Sequence, residues 1–157
     1  MTNQRDNPGV ILPPPMVYAV IFLISLLIQK LIPINPSFLH SKIAVAAAIV
    51  FIFLFLIFAA PALIQFFRTK NSVITFKPAN SLQTTGIYSI SRNPMYVSLF
   101  FLYIGLSFLF GNWWTFVLLP VVIVIITLLF ILPEERYLER AFGDSYLAYK
   151  EKVRRWF

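Results

Sequence analysis

The chain has 157 residues, of which 59% are hydrophobic and 12% charged, and its mean hydropathy of +0.81 excludes an ordinary soluble domain. It contains no cysteine, which excludes disulfides, thiolate catalysis and cysteine-bound metal. The net charge of +7 lies beside hydrophobic segments, so we expect it to face anionic lipid headgroups and not nucleic acid. These features predict an all-α integral membrane protein with a single domain over residues 1–157.

The hydrophobic pattern predicts about four transmembrane helices. Pro13, Pro14 and Pro15 precede the first of them, and we expect these prolines to form an extended lead-in. Pro61 is expected to kink the second span. Only two residues separate the third and fourth spans, which predicts a tight antiparallel hairpin. The predicted spans cover residues 16–32, 43–67, 95–110 and 113–132.

The connection from Arg68 to Arg92 carries basic residues and no acidic one. The positive-inside rule therefore predicts that this loop is cytoplasmic. With four spans, we expect both termini on the same cytoplasmic side, and we expect the protein to lie in the inner membrane of the cell. Trp113 and Trp114, at the turn of the hairpin, are typical of an aromatic belt at the opposite interface.

From Pro133 onward the sequence becomes charged, with an apolar residue every three or four positions. This spacing predicts an amphipathic helix on the cytoplasmic surface, broken at Gly143, with Asp144 capping the second half. Glu134 and Glu135 fall in its first turn. The apolar stripe consists of Leu138, Phe142, Tyr146, Tyr149, Val153 and Trp156. The simplest interpretation of the nearby arginines is contact with lipid headgroups, and they are Arg136, Arg140, Arg154 and Arg155.

A polar and aromatic run from Thr84 to Tyr96 lies between the hydrophobic segments and is where we expect chemistry. Gly86 permits a turn that other residues avoid, and Pro94 can open a helix. An arginine can bind a ligand carboxylate, and a glutamate can accept hydrogen bonds from ligand hydroxyl or amino groups. We therefore predict catalytic roles for Arg92, Glu134 and Glu135. The only histidine, His40, lies in the loop assigned to the opposite face.

Two separated motif blocks carry a family resemblance. The first contains Thr85-Gly86-Ile87-Tyr88 and Arg92-Asn93-Pro94-Met95-Tyr96, and the second runs from Pro133-Glu134-Glu135 through Phe142-Gly143 to Val153-Arg154-Arg155-Trp156. Together they resemble the isoprenylcysteine carboxyl methyltransferase and phospholipid methyltransferase family of membrane enzymes. The resemblance implies a methyltransferase that uses S-adenosylmethionine and releases S-adenosylhomocysteine. It also implies that the cofactor lies between residues 78–96 and 133–156.

The resemblance assigns roles residue by residue. The implied cofactor contacts are Asn80, Ser81, Leu82, Gln83, Tyr88, Asn93, Pro94, Met95, Tyr96 and Glu134. The implied substrate contacts are Phe130 and Arg136. Three positions depart from the family pattern: Asn93 stands where histidine is common, Ser98 where glycine is common, and Phe130 where the prenylcysteine enzymes have a substrate arginine. The last departure weakens the inference of a prenylcysteine substrate.

The sequence leaves alternatives open. We expect the acceptor to be a lipophilic molecule dissolved in the bilayer, such as an isoprenylcysteine-like carboxylate, a lipid amine or a small thiol. No metal site is predicted, and no Gly-x-Gly-x-x-Gly turn indicates a Rossmann-type cofactor site. One alternative is a non-catalytic relative that keeps the fold. Another is an NADPH-dependent enzyme similar to the membrane sterol reductases. The pattern does not predict an oligomeric state.

Overall fold

The computed structural model describes residues 12–69 and 81–157, which form six α-helices and no strand. Short 3₁₀ turns cover Ser37–His40 and Gly86–Ser89. A π-helical turn, Thr127–Ile131, lies between the fourth and fifth helices. The helices are α1 Pro14–Leu31, α2 Lys42–Arg68, α3 Pro94–Leu109, α4 Trp113–Ile126, α5 Leu132–Phe142 and α6 Asp144–Lys152.

Three helical stretches are long and apolar enough to cross a membrane: α1, α2 and the continuous run Trp113–Phe142 that comprises α4, the π turn and α5. Helix α3 is also apolar but has 16 residues. At 1.5 Å per residue it is about 24 Å long. The prediction of an all-α membrane protein with a C-terminal amphipathic segment is confirmed.

Helices α2 and α3 pack closely because small residues line their contact. A Cβ atom on Gly105 of α3 would lie 3.0 Å from the Ile52 side chain and 3.4 Å from the Ala48 carbonyl of α2. Ala44 and Ala48 are fully buried in this contact. Such an approach of backbones is the usual basis of helix association in membranes, where apolar side chains gain little by leaving lipid.

The predicted hairpin between α3 and α4 is present, and its turn is tied to the loop that follows α1. Gly111 adopts φ +62° in this turn, and the ring of His40 lies against it. The indole N–H groups of Trp113 and Trp114 donate to the carbonyls of Asn35 (3.1 Å) and Ile32 (2.8 Å). His40 therefore lies at the far end of α3 from the polar run that precedes this helix.

The expectation that the proline run is an extended lead-in is wrong for two of its members. Pro14 and Pro15 are the first residues of α1. The first N–H groups of any helix have no partner inside it, so the missing N–H of proline costs nothing there. The N-terminal proline preference, which explains Pro94 at the start of α3, applies to α1 as well.

The chain also stays helical past Leu132, where we expected the fourth span to end. The π turn shifts the hydrogen bonding just before Pro133, and the helix continues into α5. The helix break at Gly143 is confirmed, with φ +50°. Asp144 is not the cap, because it is the first residue of α6 and makes no capping hydrogen bond. Helix α2 runs through Pro61 without interruption.

Candidate functional site

The site is built on the loop of residues 81–92, which leads into α3. Gly86 has φ +61° and opens the 3₁₀ turn of this loop. Gln65, near the end of α2, donates through Nε2 to Gln83 Oε1 (2.9 Å) and lies 3.3 Å from Thr85 Oγ1. Gln83 in turn donates to Ser81 Oγ (2.8 Å). One glutamine side chain on α2 thus sets the conformation of the loop.

The C-terminal helices close over this loop. The Tyr149 hydroxyl donates to the Tyr88 carbonyl oxygen at 2.6 Å. Leu82 packs against a cluster formed by Tyr146, Tyr149 and Val153. The predicted apolar stripe therefore packs against the loop within the protein. Because the polar loop offers a partly apolar face, the stripe buries itself there in preference to lipid.

A buried ion cluster joins α5 to both the loop and the C-terminal segment. The Arg92 Nη2 atom lies 3.0 Å from Glu135 Oε1, with both side chains less than 10% exposed. Arg155 donates to the same carboxylate through Nε (3.0 Å to Oε1) and Nη2 (2.8 Å to Oε2). Hydrogen bonding to Glu135 raises the pKa of Arg155. The expectation that Arg155 contacts lipid headgroups is therefore wrong.

Several buried donors beside this cluster are unused. Among the described residues, five buried side-chain atoms have no hydrogen-bond partner: Arg92 Nε and Nη1 and the hydroxyls of Tyr96, Tyr103 and Tyr146. Burial raises the pKa of Tyr146 to about 12, so its hydroxyl keeps its proton and stays a donor at neutral pH. An unsatisfied buried donor costs about 1 to 3 kcal/mol. Three of these atoms, two on Arg92 and one on Tyr146, lie at the ion cluster, where a polar ligand could pair with them, whereas Tyr103 lies apart from it in the core.

Glu134 provides a second carboxyl group next to this cluster. It lies in the first turn of α5, one residue before Glu135, and it is partly accessible. Its carboxyl group lies next to the Tyr96 hydroxyl. A carboxylate and an arginine with free donors thus flank the buried tyrosines.

The other predicted site residues are distributed as follows. Asn93 donates through Nδ2 to the Arg155 carbonyl oxygen (3.0 Å), so its side chain holds the C-terminal segment. Met95 packs against the cluster that contains Tyr88. Phe130 is 1% exposed and lies in the core, 6.5 Å from the Tyr96 ring between centroids. Pro94 is fully buried, Leu82 packs on the C-terminal stripe, and Arg136 is exposed and donates to the Leu132 carbonyl. Asn80 lies outside the described residues.

The sequence interpretation missed three residues of this region. Gln65 is the only uncharged polar residue of α2, and its amide in an apolar stretch was a signal that could have been noticed. Tyr146 was interpreted as packing, yet its hydroxyl is an unused donor. Arg155 pairs with a residue 20 positions away, and no local pattern reports such a contact.

Comparison with known proteins places the chain in a family. Residues 41–145 match the family model described as phospholipid methyltransferase. The chain belongs to the phospholipid methyltransferase family. The matched region contains the loop, Arg92, Glu134 and Glu135, and it ends before Arg155. The family resemblance seen in the two motif blocks is confirmed.

Two relatives in this comparison differ in how much of them the chain covers. The chain is 32% identical over 123 residues to the protein-S-isoprenylcysteine O-methyltransferase of Schizosaccharomyces pombe, covering 75% of this chain and 52% of that protein. It therefore spans about half the length of this relative. It is 40% identical over 62 residues to an uncharacterized protein of Haemophilus influenzae, covering 40% of this chain and 98% of that protein. No solved structure matches the chain significantly.

Proposed function

We propose that this protein is a membrane methyltransferase that uses S-adenosylmethionine to methylate a lipophilic acceptor. The observation that carries the proposal is the set of unused buried donors on Arg92 and Tyr146 at the ion cluster of Glu135, with Glu134 and Tyr96 next to that cluster. The family match supports the same activity. The name of the relative from S. pombe supports it as well.

The residues present fit this cofactor. Two arginines share one carboxylate, so the cluster of Arg92, Glu135 and Arg155 carries one positive charge in excess. That excess and the free N–H groups of Arg92 suit the carboxylate of the amino-acid part. Glu134 suits an ammonium group or ribose hydroxyls. Tyr88 and the loop of residues 81–92 would enclose the ligand.

Bound S-adenosylmethionine would supply an electrophilic methyl carbon with the sulfonium sulfur as leaving group. The chain's own contribution is binding, alignment and exclusion of water, which in-line transfer needs more than it needs an acid or base. Burial of Tyr88 and Tyr96 provides the water-poor environment. The ion pairs of Glu135 favour a positioning role for it over direct contact with the reacting atoms.

The dimensions of α3 support an acceptor that arrives from the lipid. The helix is about 24 Å long, whereas the hydrocarbon core of a bilayer is about 30 Å thick. If Trp113 and Trp114 mark one interface, the other end of α3 at Asn93 starts inside the apolar layer. A membrane-dissolved acceptor then reaches the site sideways, between helices, without crossing the interface.

The surroundings of Phe130 bear on the type of acceptor. This side chain is apolar and closed in by the core, so it offers no charge to an acceptor carboxylate. Arg136 is exposed on α5 and could serve that purpose only at the rim. We therefore propose a bulky apolar acceptor carrying a thiol, an amine or an acid, with only a weak preference for prenylcysteine.

Cofactor binding is tested with the purified protein in detergent. We expect S-adenosylhomocysteine to bind and NADPH not to bind. One arginine with free donors and one carboxylate suit the amino-acid part of S-adenosylhomocysteine, but they do not suit the phosphate groups of NADPH. Binding of NADPH would favour a reductase and would contradict the proposal. Binding of neither compound would favour a non-catalytic relative.

Lateral entry is tested with pairs of acceptors that differ only in a long alkyl or prenyl tail. Methyl transfer is measured in detergent and in liposomes. We expect the tailed compound of each pair to be methylated faster in both preparations. Equal or better turnover of the water-soluble compounds would remove the case for entry from the lipid.

A further inference from the structure

The last five residues, Val153 to Phe157, form a segment that we call the C-terminal clasp. Its backbone is bound to the residues just before α3: the Arg154 carbonyl accepts from Arg92 N (3.0 Å), and the Arg155 carbonyl accepts from Asn93 Nδ2 (3.0 Å) and Ser91 Oγ (3.3 Å). Its two aromatic side chains pack against phenylalanines of α2 and α3. Trp156 lies 6.4 Å from Phe100, and Phe157 lies 6.0 Å from Phe58 and 5.9 Å from Phe101, between ring centroids.

This anchoring fixes how the Glu135 carboxylate is shared. Arg155 donates two N–H groups to the two carboxylate oxygens, whereas Arg92 pairs with one oxygen through Nη2 alone. A free carboxylate and a free guanidinium prefer the bidentate arrangement. In this structure Arg155 occupies that arrangement. As a result Arg92 keeps Nε and Nη1 unpaired among the described residues, although both atoms are buried.

We propose that Arg155 is a positioning residue that keeps two donors of Arg92 available for an anionic group of the ligand. Without Arg155, the Glu135 carboxylate is free to take a second N–H of Arg92, and that donor then no longer faces the ligand. The inference rests on the proposed function, in which the anionic group is the carboxylate of the cofactor's amino-acid part. It assigns to the clasp a role in ligand binding and not only in folding.

The test compares two ligands that differ in that part alone. S-adenosylhomocysteine carries the amino acid, whereas 5′-methylthioadenosine keeps the nucleoside and the thioether but has no carboxylate. In the full-length protein with Arg155→Met, we expect the affinity for S-adenosylhomocysteine to fall about tenfold or more, as for the loss of a charged hydrogen bond. The affinity for 5′-methylthioadenosine should stay as in the wild type.

Arg154→Met is the matched control, because its exposed side chain is next in sequence and the same charge is removed. Both ligands should bind to it as to the wild type. Arg155→Lys keeps the charge but loses the two-pronged geometry. It should lose less affinity for S-adenosylhomocysteine than Arg155→Met and none for 5′-methylthioadenosine. If Arg155→Met does not fold, the lysine variant provides the same comparison.

The affinities of the variants for the two ligands separate a role of Arg155 in ligand binding from a role in folding alone. Equal losses for both ligands, or a loss equal to that in Arg154→Met, would show that Arg155 only supports the fold, and the inference would be overturned. Unchanged affinity for both ligands would also overturn it. If the folded wild type binds 5′-methylthioadenosine but not S-adenosylhomocysteine, this inference fails while a nucleoside site survives. If it binds neither, the proposed function fails and the inference falls with it.

Discussion

Gly86 offers a sharp test of whether the loop of residues 81–92 forms the ligand site. In Gly86→Ala the backbone must keep φ +61°, which costs a residue with a side chain about 1 to 2 kcal/mol. The new Cβ atom would also lie 3.2 Å from Gln65 Oε1. Because that contact involves the end of a flexible side chain, Gln65 can move, but it then gives up its bonds to Gln83 and Thr85. Backbone strain therefore dominates, and the loop relaxes to another conformation.

If the ligand binds only the present loop conformation, the free energy needed to restore that conformation is subtracted from the free energy of binding. A cost of about 1 to 2 kcal/mol corresponds to a loss of affinity of roughly 5-fold to 30-fold. The assay is titration of S-adenosylhomocysteine into the purified variant, with the unfolding temperature recorded in parallel. The expected result is weaker binding with a modest loss of stability.

Gly111 provides the matched control at the other end of α3. It has φ +62°, and a Cβ atom there would lie 2.8 Å from a ring carbon of His40. Gly111→Ala should therefore destabilise the fold at least as much as Gly86→Ala while leaving ligand affinity intact. If both variants lose affinity in proportion to stability, or if Gly86→Ala binds as the wild type does, the loop is not part of the ligand site.

Three further predictions concern charge, an unused donor and topology. Glu134→Gln should lower the affinity for S-adenosylhomocysteine about tenfold or more, since loss of a charged hydrogen bond costs about 1.5 to 3 kcal/mol, while the unfolding temperature changes little. Unchanged affinity would show that the carboxylate does not contact the ligand. Tyr146→Phe removes a hydroxyl that has no partner in the described chain. The stability of the fold should therefore hold or rise while the affinity for S-adenosylhomocysteine falls. A loss of stability without a loss of affinity would argue against a ligand contact. A cysteine at Asn35 should react with an impermeant reagent on intact cells and one at Ser81 should not; the reverse labelling would contradict the cytoplasmic placement of the site.

The elements that the sequence predicted well are those governed by local rules. Hydrophobic length located all four apolar helices to within two residues at their N-terminal ends, and the positive φ of Gly86 and Gly143 follows from what glycine alone tolerates. The sequence predicted the fourth span and the amphipathic helix as separate segments, but the structure joins them into one continuous helical run. A π turn at Thr127–Ile131 adjusts the hydrogen bonding ahead of Pro133, and single-sequence periodicity gives no sign of such a turn.

The contacts that give the site its shape are long-range, and they were not predictable from spacing. Motif residues such as Arg92, Asn93 and Glu135 were identified by type, but their partners lie 20 to 62 positions away. Arg155 was predicted, like Arg136, Arg140 and Arg154, to contact lipid headgroups. Only the fold shows that it pairs with a buried carboxylate while its neighbour Arg154 stays exposed.

Arg154 is exposed and Arg155 is paired, so the position of a charged residue in the sequence alone does not show whether it belongs to the site. Glu135 is buried, and a buried carboxylate is tolerated only when it is paired and hydrogen-bonded. Arg92 reaches only one oxygen of this carboxylate, and Arg155 bonds to both, so the two arginines together satisfy it and leave one positive charge in excess. The surplus positive charge and the free N–H groups of Arg92 are what a bound anion would use. These two features support the proposal that the C-terminal clasp prepares the cluster for an anionic ligand.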